Sequence, residues 1–247
     1  MKRLSKARIA RLAAVAAVVA AGPATLVLGT SQAALAANPT MTVMYTNSYP
    51  DLAVNYFPGT SGSTVTVDIP TGDSSRIVFH DANASSMTLQ TDIPGKGCTL
   101  DDSTTISCPK AVTDSSGNLR KVFNVGVIGS DGNDHFTSTG FGMVTGSTFT
   151  PIAVTLSGWG GNDTLTADGG HSSLVGVDGN DTLTSGPGSS TGGADSADGG
   201  AGNDTIDVYT SSPDADGVHC GAGTDSVTAS NSDIRYDTTA CESVTIH

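Results

Sequence analysis

A nine-residue unit recurs through the second half of the chain. It reads Gly158-Trp159-Gly160-Gly161-Asn162-Asp163-Thr164-Leu165-Thr166, then, after a weaker nine, Gly176-Val177-Asp178-Gly179-Asn180-Asp181-Thr182-Leu183-Thr184. Gly holds the fourth place, Asp the sixth and an aliphatic residue the eighth, and Leu156, Leu165, Leu174 and Leu183 keep the spacing without a slip. A period of nine matches neither a helix nor a flat strand, so it is an internal repeat. Six residues of each unit form a turn. The other three form a short strand whose middle side chain points inward.

The rhythm begins near Val122. Its first good unit is Gly129-Ser130-Asp131-Gly132-Asn133-Asp134-His135-Phe136-Thr137, and a spacer follows over 138–153. The steady block carries Asp163 and Asp181, with Ser172 where the middle unit would have its Asp. A Gly/Ser/Pro-rich stretch over 185–190 breaks the phase. It resumes with Gly193-Ala194-Asp195 and with Gly199-Gly200-Ala201-Gly202-Asn203-Asp204-Thr205-Ile206-Asp207. Asp216 with Val218, and Asp225 with Val227, continue it after a slip.

Ahead of the repeats, 37–121 reads as an all-β region. Val65, Val67 and Ile69 alternate with Thr64, Thr66 and Asp68, the period of a half-buried strand. A second β-rich run covers 76–80, with weaker candidates at 41–45 and 52–57. Turn clusters such as Pro58-Gly59, Pro70-Thr71-Gly72-Asp73 and Pro94-Gly95 separate them. The chain thus divides into a leader (1–36), an N-terminal β-rich region (37–121) and a repeat domain (122–247).

The leader has a basic start (Lys2, Arg3, Lys6, Arg8, Arg11), apolar runs over 12–21 and 24–28, and a small-residue cleavage site at Ala34-Leu35-Ala36. Gly22-Pro23 interrupts the apolar run before it reaches a spanning length, which favours cleavage over a membrane anchor. The expected location is therefore extracellular. Removing the leader leaves 6 basic against 24 acidic residues, a net charge of −18. That surface argues against nucleic acid and against insertion into anionic membranes. It also repels itself unless cations lie among the carboxylates. Of the three pairings open to four cysteines, Cys98 with Cys108 and Cys220 with Cys241 is the simplest, and each bridge would stabilise by about 3 kcal/mol. Zinc is the competing use, but there is no C-x-x-C pair.

The spacing of the repeat has a chemical reading. Gly adopts positive φ without strain, so the turn's carbonyl oxygens can face one point, and the Asp two places on adds a carboxylate to it. Ca²⁺ accepts six to eight such oxygens at forgiving geometry, whereas Mg²⁺ demands a strict octahedron. Two nonapeptides make one coil, so residues eighteen apart, such as Asp163 and Asp181, stack on one edge and can share a cation. The plainer alternative is a metal-free β-solenoid whose Asn and Asp merely form turns. It accounts for one unit better than for five in so acidic a chain.

These units resemble the G-G-x-G-x-D-aliphatic repeats of RTX (haemolysin-type) calcium-binding proteins. The closing stretch, Asp216-Gly217-Val218-His219-Cys220-Gly221-Ala222-Gly223-Thr224-Asp225 through Cys241-Glu242-Ser243-Val244, looks like the terminal cap of small secreted bacterial members. Gly97-Cys98-Thr99 with Ile106-Ser107-Cys108-Pro109 is similar to those members too. The resemblance implies an all-β fold, a parallel β-roll or β-solenoid of nonapeptide repeats. It implies Ca²⁺ as cofactor, held by Asp134, Asp163, Asp181, Asp204 and Asp225 and by turns containing Gly132, Gly161, Gly179, Gly202 and Gly223. Asp195 and Asp216 join the set although their units lack the glycine pattern, and Ser172 and Ser190 leave gaps in it. The large toxins of the family leave by a C-terminal signal, which the N-terminal leader here does not match. At ten times the dissociation constant, each extracellular site stabilises by about 1.4 kcal/mol. Four would give roughly 5–6 kcal/mol against a usual net stability of about 5–15, so calcium is expected to be a condition of folding.

No catalytic set stands out. Gly188-Ser189-Ser190-Thr191-Gly192 matches G-x-S-x-G formally, but in a linker-like context. His80, His135, His171, His219 and His247 are scattered, and H-E-x-x-H is absent. The expected function is a secreted calcium-binding module with a structural or interaction role, its cell-surface or polysaccharide partner unnamed. The alternative is a calcium-dependent, polysaccharide-active β-solenoid enzyme. Trp159, the sole Trp, sits in a repeat turn rather than in an aromatic row, which favours the module.

Overall fold

The computed structural model describes residues 40–45, 52–59, 62–91, 97–113, 116–141, 152–168, 171–186, 195–208, 217–229, 235–236 and 241–246. Residues 1–36, expected to be a leader, the 188–192 stretch, Asp216 and His247 lie outside them. All described secondary structure is β. Among the described residues no helix is long and apolar enough to cross a membrane.

The repeats set the architecture, because an aliphatic residue every ninth place can be buried only if successive strands alternate between two facing layers. From β9 (Leu119–Ile128) onward the strands do alternate. β9 is followed by β10 (His135–Thr139), β11 (Ala153–Gly160) by β12 (Thr164–Ala167), and β13 (His171–Asp178) by β14 (Thr182–Ser185). Then come β15 (Ser196–Ala201) with β16 (Thr205–Val208), β17 (Gly217–Ala222) with β18 (Ser226–Ala229), and β19 (Arg235–Tyr236) with β20 (Ser243–Ile246). The odd-numbered strands pair in parallel in one sheet and the even-numbered ones in parallel in another. This arrangement is compatible with a solenoid.

The register brings equivalent places together. Val127, Leu156, Leu174, Ala197 and Val218 form one inward file, each paired with the next. Facing it, Phe136, Leu165, Leu183, Ile206 and Val227 form the other. All ten are buried in one continuous core, and each large aliphatic contributes roughly 1.5–3 kcal/mol by leaving water. In β14 the outward places are Thr182 and Thr184, while Leu183 and Ser185 are buried.

The N-terminal strands are hydrogen-bonded into the same two sheets. These are β1 (Thr40–Tyr45), β2 (Leu52–Phe57), β3 (Thr64–Asp68), β4 (Arg76–Asp81), β5 (Thr88–Thr91), β6 (Thr99–Leu100), β7 (Thr105–Pro109) and β8 (Ala111–Thr113). β2 pairs with β9 and β3 with β10, both in parallel, so each sheet runs on into the repeats. Antiparallel pairing of β3 with β4 and of β4 with β7 then closes the N-terminal end of the second sheet. Disulfides join Cys98 to Cys108 and Cys220 to Cys241, the local pairing expected from the spacing. Two bridges fit an oxidising environment.

Candidate metal centre

The fourth-place glycines allow the turns to stack. Gly161, Gly179, Gly202 and Gly223 have φ between 123° and 151°, where a side chain is strained. A β-carbon on Gly179 would collide with the carbonyl of Gly161, and one on Gly202 with that of Gly179. Gly132 lies at the head of this column, its carbonyl against Gly161. Glycine is therefore required twice over, by conformation and by the closeness of the next coil.

That stacking sets the sixth-place carboxylates in a single row along one edge. The backbone N–H of Asp134 donates to Oδ1 of Asp163 at 2.7 Å. The N–H groups of Asp163, Asp181 and Asp204 donate likewise to Asp181, Asp204 and Asp225, each at 2.8 Å. Asp225 N–H closes the row on Oε2 of Glu242 at 2.7 Å, and Asp134 Oδ1 opens it by accepting from Ser63 N–H at 2.6 Å. A second, exposed row runs beside the first. Asn133, Asn162, Asn180 and Asn203 each accept through Oδ1 from the backbone N–H one coil further on.

The five Asp side chains are almost fully removed from water, at 1–2% exposure. Oδ2 of Asp163, Asp181, Asp204 and Asp225 is buried and has no hydrogen-bond partner among the described residues. A buried carboxylate oxygen without a donor is costly, and a proton or a cation relieves the cost. Burial accordingly pushes the Asp163 carboxyl up to about 7. The N–H of Asp134 opposes the rise, and the charges of Asp181 and Asp134 add to it. Burial likewise raises Asp181 and Asp134 to about 6, and it raises Asp204.

Backbone oxygens approach the same places. A β-carbon on Gly176 would meet both Asp181 Oδ2 and the carbonyl of Gly199. One on Gly199 would meet Asp204 Oδ2 and the carbonyl of Cys220. Among the described residues no three His, Cys, Asp or Glu side chains gather as a metal cluster. A cation on this row would have to take carboxylate oxygens from the row and complete its shell with carbonyls. Hard oxygen donors of mixed type suit Ca²⁺ and do not suit zinc. The residues present fit calcium on that account.

Of the other expected ligands, Asp195 stands apart. It precedes β15, on the opposite edge from the row, and Oδ1 accepts from the N–H and hydroxyl of Ser172 at 2.7 and 3.0 Å. Its Oδ2 accepts from the Ser185 hydroxyl at 3.2 Å. Ser172, the gap in the repeat, is thus the donor that Asp195 needs one coil away. Trp159 is half-buried with φ 80°, paired in register with Val177 at φ 88°. His135 and His171 are exposed, and His219 Nδ1 lies 3.1 Å from Asp198 Oδ1 on the outer face.

Glu242 and the Asn row were missed as site elements by the sequence reading. Both leave a signal there: Asn precedes Asp in four units, and Glu242 has Val244 two places on, as each row Asp has an apolar residue there. Compared with known protein families, curated proteins and solved structures, the chain matches none of them.

Proposed function

We propose that the chain is a secreted calcium-binding β-roll whose repeats fold on Ca²⁺ and serve a structural or interaction role outside the cell. One observation carries this reading. A file of coils buries one carboxylate each, and four of these leave an oxygen without a donor among the described residues. At neutral pH a cation is the partner that lets such groups stay ionised and buried together. The resemblance to RTX repeats supports the same reading and implies calcium as the cation. So does the acidity of the chain after its leader, at −18. In this role the row acts as a fold condition: at low calcium the carboxylates repel, and in millimolar calcium the coils close.

The experiment is a calcium titration of the metal-stripped protein, followed by far-UV circular dichroism and Trp159 fluorescence. A cooperative gain of β-signal near millimolar calcium, absent with magnesium, is the expected result. Full β-structure in chelator, unchanged by calcium, would sink the proposal. It would leave a metal-free solenoid and direct the search toward a polysaccharide-active enzyme.

A further inference from the structure

We propose that the buried carboxylates are of two kinds: Asp163, Asp181, Asp204 and Asp225 hold cations, whereas Asp134 and Asp195 are struts that join coils without one. This rests on the reading of the row as a calcium site and goes beyond it by assigning the units one by one.

The division follows from what each second oxygen meets. In Asp163, Asp181, Asp204 and Asp225, Oδ1 takes a backbone N–H and Oδ2 has no partner. In Asp134 both oxygens are in use: Ser63 N–H donates to Oδ1 at 2.6 Å and Ser130 N–H to Oδ2 at 3.0 Å. In Asp195 both are in use as well, by Ser172 and Ser185. A cation gains a ligand outright from an orphaned oxygen. From a satisfied one it must first displace a hydrogen bond, leaving a buried N–H or hydroxyl without an acceptor.

The second place of the repeat explains why Asp134 differs from the row it heads. That place is Trp159, Val177, Gly200 and Gly221 in the four later units, and all four have positive φ, 80°, 88°, 95° and 100°. Ser130 holds the same place ahead of Asp134 and is not left-handed. Its N–H turns onto the carboxylate that the left-handed residues leave open. The family-like sixth-place Asp is therefore not sufficient for a site; a left-handed second place is needed with it.

The test counts calcium bound per chain by equilibrium dialysis of the full protein in excess calcium, with circular dichroism as a check of folding. In Asp181→Asn, Oδ1 still accepts from Asp163, while an amide group replaces the orphaned oxygen; bound calcium falls by at least one ion per chain. In Asp195→Asn the Ser172 bonds remain and the Ser185 hydroxyl can reverse, so the count stays that of the wild type. Asp134→Asn sets an amide against the Ser130 N–H, so it lowers the unfolding temperature in saturating calcium while the count stays that of the wild type. Equal calcium loss in Asp181→Asn and Asp195→Asn, or none in Asp181→Asn, overturns the division while leaving calcium binding intact. A wild-type protein that binds no calcium overturns instead the reading on which the division rests.

Discussion

The backbone N–H of Asp163 donates to Oδ1 of Asp181, eighteen residues later, at 2.8 Å. The bond makes each carboxylate part of the inter-coil ladder and commits it to a dry position. A charge held there must be balanced, so the row couples fold stability to whatever neutralises it.

Protons are one such agent, and the sign of their effect can be worked out. Asp134, Asp163 and Asp181 titrate at about 6 to 7 in the fold, above the 3.8 of an exposed Asp. The folded chain therefore holds more protons than the unfolded chain between about pH 4 and pH 7. Their stabilising contribution is complete below about pH 4 and is lost as pH rises through the folded values. Each carboxylate contributes about 1.4 kcal/mol per pH unit inside that window. Metal-stripped protein is expected to be more folded at pH 4.5 than at pH 7.5, and to melt higher there where it folds at both. Millimolar calcium should shrink the difference to the share of Asp134, which takes no cation. Thermal unfolding across this range checks it; a melting temperature that rises with pH in metal-free buffer contradicts it.

Glycine at the fourth place is testable by a single methyl group. Gly179→Ala places a β-carbon at φ 132° and into the carbonyl of Gly161. Strain and overpacking together should cost about 2–4 kcal/mol. Gly72→Ala is the control, since nothing lies within 4 Å of its β-carbon and its φ is ordinary. It should change stability by less than about 0.5 kcal/mol. Denaturant midpoints in saturating calcium measure both, and equal midpoints would remove the stacking argument.

The nine-residue period made the alternation of short strands between two layers legible in the sequence. Leu156, Leu165, Leu174 and Leu183 could all be buried only by alternating between two layers, and each is at most 1% exposed. The strands at 64–68 and 76–81 were legible from β-forming residues and alternation. The direction of the Asp side chain was not. Spacing placed the carboxylates on one edge, and both a turn-facing ligand and an inward ladder satisfy that spacing. What decides is the short approach of successive coils, seen in the Gly161 carbonyl over Gly179, which brings the next N–H within reach of Oδ1. The roles of Ser130 and Ser172 were hidden for the same reason, since each depends on a partner that the period alone does not orient.

The C-terminal bridge gives a third prediction. Cys220 is fully buried in β17, and its bond to Cys241 ties the last coil, with Glu242, to the row. Replacing both cysteines by serine should cost about 3 kcal/mol. The end of the ladder should loosen first, so amide exchange at Asp225 should rise more than at Asp163. Uniform exchange along the row would mean that the bridge does not hold the end of the stack.

The last prediction concerns a polar pair outside the repeats. Tyr56, on β2 in the first sheet, donates its hydroxyl to Oδ2 of Asp81, on β4 in the second, at 2.7 Å. Both residues have 0% exposure, and Asp81 Oδ1 accepts from Asn83 N–H at 2.9 Å. Burial and the adjoining carboxylate hold the Tyr56 hydroxyl well above its usual range, so it stays a donor at any ordinary pH. The bond spans the two sheets where the N-terminal strands join the repeats. Tyr56→Phe keeps the ring, which packs 6.1 Å from that of Phe79, and removes only the donor. It leaves a buried carboxylate oxygen unpaired, at a cost of about 1–3 kcal/mol. Adding Asp81→Asn removes the stranded charge, so the double variant should be more stable than Tyr56→Phe alone. Because this carboxylate already has its donors, the loss in Tyr56→Phe should be equal in calcium and in chelator wherever the chain is folded in both. A loss that calcium repairs would place Asp81 among the cation ligands and make the N-terminal strands part of the metal-dependent unit.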